Sequence, residues 1–111
     1  SYQRYIRRAH YTEVVQATAP YKLGIEECYQ TIGELKDCSA DKHGIPANIS
    51  KQNRKGLIYS LSVEENGKIV VVPQEKNGIK KSDIYALTPS IDSGRLVWRS
   101  GGKGVENGYA R

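Results

Sequence analysis

From Ser1 to Gly33, apolar or small side chains recur at Ile6, Ala9, Val14, Ala17, Tyr21, Leu23, Ile25, Cys28 and Ile32. Most steps are three or four residues, which places them on one stripe of a 3.6-residue helix. Arg4, Arg7, Arg8, Glu13, Gln16, Lys22, Glu26 and Glu27 fall between them and suit solvent. Gly33 offers a left-handed stop after the last apolar position. The pattern predicts one long amphipathic helix over 1–33. Pro20 removes a backbone hydrogen bond and bends its axis. The stripe keeps its phase from Val14 and Ala17 to Tyr21 and Ile25, so a kinked continuous helix is expected rather than two helices split at Ala19. A stripe cannot hold a helix in water without a partner surface.

The residues after Gly33 supply that surface. Periodicity lapses over 34–55, where Cys38, Ser39, Asp41, Gly44, Pro46, Asn48 and Ser50 read as a loop. Connections of about twenty residues are long for a compact domain and need anchors. Cys38, Ile45 and Ile49 are the candidates. From Gly56 the pattern turns to alternation. Leu57, Tyr59, Leu61 and Val63 make one face of a first strand. Asn66-Gly67 is a strong hairpin turn, and Ile69 to Val72 form a second strand that stops at Pro73. A polar loop covers Gln74 to Ser82. A third strand is expected from about Asp83 to Thr88, ending near Pro89. Asp92-Ser93-Gly94 turns into a fourth over Arg95 to Arg99, with Leu96 and Trp98 on one face. A helix followed by a run of strands is α+β, with a four-stranded antiparallel sheet covering the helix stripe. The chain is expected to be a single domain over 1–111: helix 1–33, connecting loop 34–55, sheet 56–100 and a loose or edge-pinned tail 101–111.

Composition adds constraints. With no Phe, no Met, one Trp and eight Tyr, the core must be aliphatic and tyrosine-based. The net charge of +5 favours acidic partners, or serves solubility alone. No run of 18 apolar residues is present. Cys28 and Cys38 lie at the helix-to-loop junction, and a disulfide there would stabilise by roughly 2–3 kcal/mol. It would imply an oxidising, exported location. The other reading is two unrelated buried thiols.

Candidate chemistry is sparse. His10 and His43 sit in different elements, and the pairs Glu26-Glu27 and Glu64-Glu65 split across their faces. No phosphate loop, nucleophile elbow or zinc spacing occurs. Asp83 and Asp92 are too few for a calcium site. No catalytic, cofactor-binding or metal-ligating residue is therefore expected. The cluster Tyr2, Arg4, Tyr5, Arg7, Arg8, His10, Tyr11 combines stacking and charge, as in single-stranded nucleic acid binding. It equally suits a helix packed among copies of itself, and Arg4, Arg7 and Arg8 are candidate subunit contacts. Lys80, Lys81, Arg95, Arg99, Lys103 and Arg111 are candidate anion or DNA contacts, or a solvated basic face.

Tyr2-Gln3-Arg4-Tyr5-Ile6-Arg7-Arg8-Ala9 is similar to the Y-Q-x-Y-x-x-R-A segment of type IVa pilins. Thr12-Glu13, Ala19-Pro20-Tyr21-Lys22 and Glu27-Cys28 look like that family's helix, and Gly44-Ile45-Pro46-Ala47-Asn48-Ile49 like its helix-to-strand loop. Leu87-Thr88-Pro89 and Gly94-Arg95-Leu96-Val97-Trp98 resemble its last strands, and Gly108-Tyr109-Ala110-Arg111 a shortened form of its tail. The resemblance covers nearly the whole chain in order. It implies an upstream apolar segment of roughly 25 residues that anchors the protein in the inner membrane and carries a methylated N-terminus. It also implies a helical homopolymer of pilin subunits, built by pilus assembly machinery. The expected location is an extracellular filament of a Gram-negative bacterium, with an anchored pool facing the periplasm. The function implied is a structural subunit for attachment or motility. A DNA- or surface-binding minor pilin and a secretion-system pseudopilin are the alternatives. One departure stands out: family members carry a Cys after the strand-four Trp, paired near the C-terminus, whereas Arg99 and Ser100 follow Trp98 here. Strand contacts and Tyr109 are expected to hold the tail instead.

Overall fold

The computed structural model describes residues 1–111. Ser1 caps the first helix, α1 (Tyr2–Ala17), its hydroxyl accepting from the Arg4 amide at 3.3 Å. The helix bends at Thr18 and continues as α2 (Ala19–Ile32). Thr18 keeps right-handed helical angles (φ −77°, ψ −17°). Its hydroxyl donates to the Val15 carbonyl at 2.6 Å, and the ladder resumes with Lys22 N–H on the Thr18 carbonyl at 2.9 Å. Pro20 has no N–H to continue the ladder, so a threonine two residues upstream absorbs the bend. Gly33 ends α2 at φ 88°.

The buried face of this bent helix is Tyr11, Val14, Thr18, Tyr21, Ile25 and Cys28, alternating steps of three and four. The expected stripe shares Val14, Tyr21, Ile25 and Cys28 with it and needs correction elsewhere. Ala9 is exposed, and Leu23 is 57% exposed. Leu23 stands two residues from both Tyr21 and Ile25, about 200° round the helix from each. Tyr11 and Thr18 take the vacated places.

The connecting loop lies directly on α2. A Cβ on the buried Gly24 would stand 3.0 Å from the Ile45 Cα, so only glycine lets the two backbones approach so closely. Cys28 is disulfide-bonded to Cys38, Ile45 is buried, and the Tyr21 hydroxyl donates to the Ala47 carbonyl at 2.6 Å. Ile49 then pairs with Leu61 as an isolated antiparallel bridge.

The sheet is a meander, in the order β1 (Ile58–Glu64), β2 (Lys68–Pro73), β3 (Tyr85–Asp92), β4 (Arg95–Gly101), all antiparallel. Asn66 and Gly67 both take positive φ (59° and 78°) in the three-residue connection Glu65–Gly67 between the paired Glu64 and Lys68, closed by the Lys68 amide donating to the Glu65 carbonyl. The third strand starts at Tyr85 rather than Asp83 and runs through Pro89 to Asp92. β2 pairs with β3 only over Tyr85–Leu87, so Pro89 falls where β4 is its only neighbouring strand. Leu57, Ile58, Leu61, Ile69, Val71, Ile79, Tyr85 and Leu87 close the core under the helix. The tail is not loose: Lys103–Glu106 form a short helix, α3.

Candidate functional site

The open end of the sheet, below the start of α1, is built on Asp83. This carboxylate is only 3% exposed and fully engaged. One oxygen accepts the Lys80 amide and the other the Asn107 side-chain amide, each at 2.8 Å. The Asp83 carbonyl accepts the Tyr11 hydroxyl at 2.6 Å, and the neighbouring Ile84 carbonyl accepts the Gly104 amide at 3.0 Å. Gly104 is pressed so closely onto the Tyr11 phenol that a Cβ there would overlap it. The Tyr11 ring meets Tyr85 edge-on at 6.3 Å and Tyr109 at 5.8 Å. The Tyr85 hydroxyl donates to the Arg111 carbonyl at 3.3 Å. Helix, strand and tail thus meet around one buried phenol. Burial, then the charge of Asp83 and the Tyr85 phenol, hold the Tyr11 proton well above the usual phenol range. Burial alone raises Tyr21 and Tyr85.

Above this cluster opens a cleft of about 560 Å³, walled by Arg4 and Arg7 of α1, Lys80 of the β2–β3 loop and Lys103 of α3. The Asn77-Gly78 turn sits under the Arg7 side chain, where a Cβ on Gly78 would overlap the guanidinium. The Arg4 guanidinium lies beside Gly108. Four cations therefore surround one opening, and the only carboxylate in its lining is the fully hydrogen-bonded Asp83. Such a concavity focuses positive potential and attracts an anionic group.

The residues expected at contacts divide. Lys80 and Lys103 join Arg4 and Arg7 in the cleft, while Arg8 lines a shallower groove with Tyr5, Thr12 and Tyr109. The Lys81 ammonium lies 3.9 Å from the Tyr59 ring centroid, with Arg54 5.9 Å from the same ring. Arg95 and Arg99 stand on β4, opposite Asp92 and Thr88, and Arg111 ends the chain beside Tyr85. The six candidate anion contacts are thus not one surface. Tyr2 and Tyr5 project from the first turns of α1, 78% and 69% exposed.

Asp83 and Asp92 sit just before and at the end of β3, so they do not approach each other, and Asp83 is an anchor. Nothing in the sequence around Lys80-Lys81-Ser82-Asp83 marks it as buried. No group of three His, Cys, Asp or Glu side chains is arranged to hold a metal ion. At the other end of the molecule, Trp98 donates its indole N–H to Glu26 at 3.0 Å and lies under Lys22, fastening β4 to α2.

Residues 7–110 match the pilin family, described as a bacterial filament family. The chain is similar to the type IV pilus subunit protein TapA of Aeromonas hydrophila, at 31% identity over 108 residues, 94% of this chain and 74% of that protein. It is also similar to prepilin peptidase-dependent protein D of Escherichia coli (strain K12), at 36% identity over 98 residues. That match takes in 87% of this chain but spans only 61% of the relative's length.

Proposed function

The chain belongs to the pilin family, and we propose that it polymerises with copies of itself through α1 and an apolar helical segment upstream of Tyr2. It is a structural subunit of a type IV pilus. The observation that carries the proposal is the state of α1. Its inner face is sealed from Tyr11 onward, whereas its first two turns leave Tyr2 and Tyr5 exposed beside Arg4 and Arg7. Aromatic and arginine side chains of this kind are typical interface anchors. The filament stands outside the cell for attachment or motility, and subunits awaiting assembly are held in the inner membrane, facing the periplasm, for the assembly machinery to draw on. The domain acts by packing, and no covalent step is assigned to it.

The test is to express the full-length chain in a strain lacking its own copy and shear the cell surface. Filaments containing the chain are expected in the sheared fraction. Abundant cell-associated protein with no filament would defeat the reading.

A second reading, an anion-capturing minor pilin, draws on the basic cleft. DNA binding by the intact subunit would weaken steeply with salt. Salt-independent binding would exclude a phosphate-based contact. The pseudopilin alternative has no structural observation that favours it over a pilus subunit.

A further inference from the structure

The molecule measures 45 Å along its long axis. The bent helix runs that length, so its start and finish mark the two ends. Arg4, Arg7, Lys80 and Lys103 surround the cleft at the start. Just past the finish, Leu35 is buried between the exposed Glu34 and Asp37. The β1–β2 turn lies over it, with Gly67 against the side chains of Leu35 and Ile25, which brings the exposed Glu65 to the same corner. The exposed cations Lys36 and Lys68 share this corner, Lys68 standing opposite Glu64 across the strands, and Arg95 lies against the last turns of α2.

Within one copy the cleft and the corner are separated by several times the roughly 8 Å over which salt screens charge in physiological buffer. They cannot neutralise each other there; only another copy can bring them together. Two complementary patches at opposite ends make a heterologous contact, which grows as an open polymer unless rotation closes it into a ring.

We propose that the cleft of Arg4, Arg7, Lys80 and Lys103 receives the carboxylate corner of Glu34, Asp37 and Glu65 from a second copy of this chain. This rests on the pilus-subunit reading and deepens it by naming the two surfaces that meet. The occupant is argued from charge complementarity: the cleft is cationic, and its one acidic side chain is already consumed. Shape agrees, since a turn carrying carboxylates at its tip is convex and the cleft is concave. Steering of this kind sets the register of docking, and like charges forced together are strongly disfavoured.

The test uses the full-length protein in cells, comparing sheared filament with the cell-associated pool. The double variant Lys80→Glu/Lys103→Glu should lower filament yield about tenfold or more with an unchanged pool. Both side chains are exposed, and the Lys80 bond to Asp83 comes from the backbone amide, so folding is preserved. Glu34→Lys/Glu65→Lys should lower yield equally, and combining all four substitutions should restore it. Two doubles that assemble like wild type would overturn the proposal, as would a combination that stays defective. If only the cleft double fails to assemble, and the purified intact variant also loses binding to phosphatidylglycerol vesicles, the cleft serves lipid and the proposal is wrong. Failure of the wild-type chain itself to enter filaments would instead defeat the pilus-subunit reading.

Discussion

The two ends of this domain are fastened by different physics. At the far end, Cys28–Cys38 ties the connecting loop to α2 with a covalent bond across a sequence separation of 10. At the near end, the tail is held by Asp83, Asn107, the Tyr11 phenol and the close seat of Gly104. A short-loop disulfide acts mainly by restricting the unfolded chain. A buried polar cluster acts in the folded state, and is strong only while every partner is present. One end should therefore answer to reductant and the other to alkali.

The largest effect comes from removing what both ends share. Ile25→Asp buries an unpaired carboxylate beneath the sheet and should cost more than about 4 kcal/mol, leaving no cooperative melt. A melt like that of the wild type would mean the buried stripe is misassigned. Gly104→Val strikes the near end alone. The new side chain displaces Tyr11, and a loss of about 3 kcal/mol is expected by chemical denaturation, with the disulfide intact by mass. Replacing both cysteines with serine, or reducing them, should cost roughly 2–3 kcal/mol and leave amide protection of Gly104 and Asn107 unchanged. Loss of protection in the tail would show that the two ends are coupled.

Tyr11→Phe is the mildest and the most diagnostic. Loss of its hydrogen bond to Asp83 should cost about 1 kcal/mol at neutral pH. The sign of its pH dependence follows from proton linkage. The folded state keeps the Tyr11 proton, whereas the unfolded phenol releases it as pH rises past 10. Stability is thus fully present below pH 10 and falls above it. The variant should show a shallower alkaline decline, with Tyr85 and Tyr21 supplying what remains. Equal alkaline slopes in both proteins would remove Tyr11 from this role.

Most of the architecture was legible because periodicity carries it. Val14, Tyr21, Ile25 and Cys28 fall on a helical stripe, and Asn66-Gly67 announces the hairpin that the backbone makes. Tyr11 was obscured by its neighbours, since a tyrosine among arginines reads as surface, and only the distant Gly104 and Asp83 make its pocket. Thr18 and Gly24 carry no hydrophobic signal, yet both are buried, one as the bend and the other as a seat for Ile45. The extension of β3 through Pro89 depends on where β2 stops pairing, a property of the sheet and not of the strand. The basic cleft escaped for a related reason. Arg4 and Arg7 belong to one end of the chain and Lys80 and Lys103 to the other half, and composition alone had grouped the lysines with Arg95 and Arg99.

The hydroxyl of Tyr11 reaches a carbonyl 72 residues further along the chain. Such a bond closes a very large loop, and its ordering cost is met only after the meander and its turns exist. The sheet can assemble from near neighbours, one hairpin after another, with the helix still unclamped at its start. The seat for Tyr11 is complete only when Gly104 and Asn107 arrive, after all four strands. Arrival of the Gly104–Asn107 segment is therefore a checkpoint in biogenesis: a subunit shortened before Gly104 would present a helix whose first turns are not yet fixed against its own body.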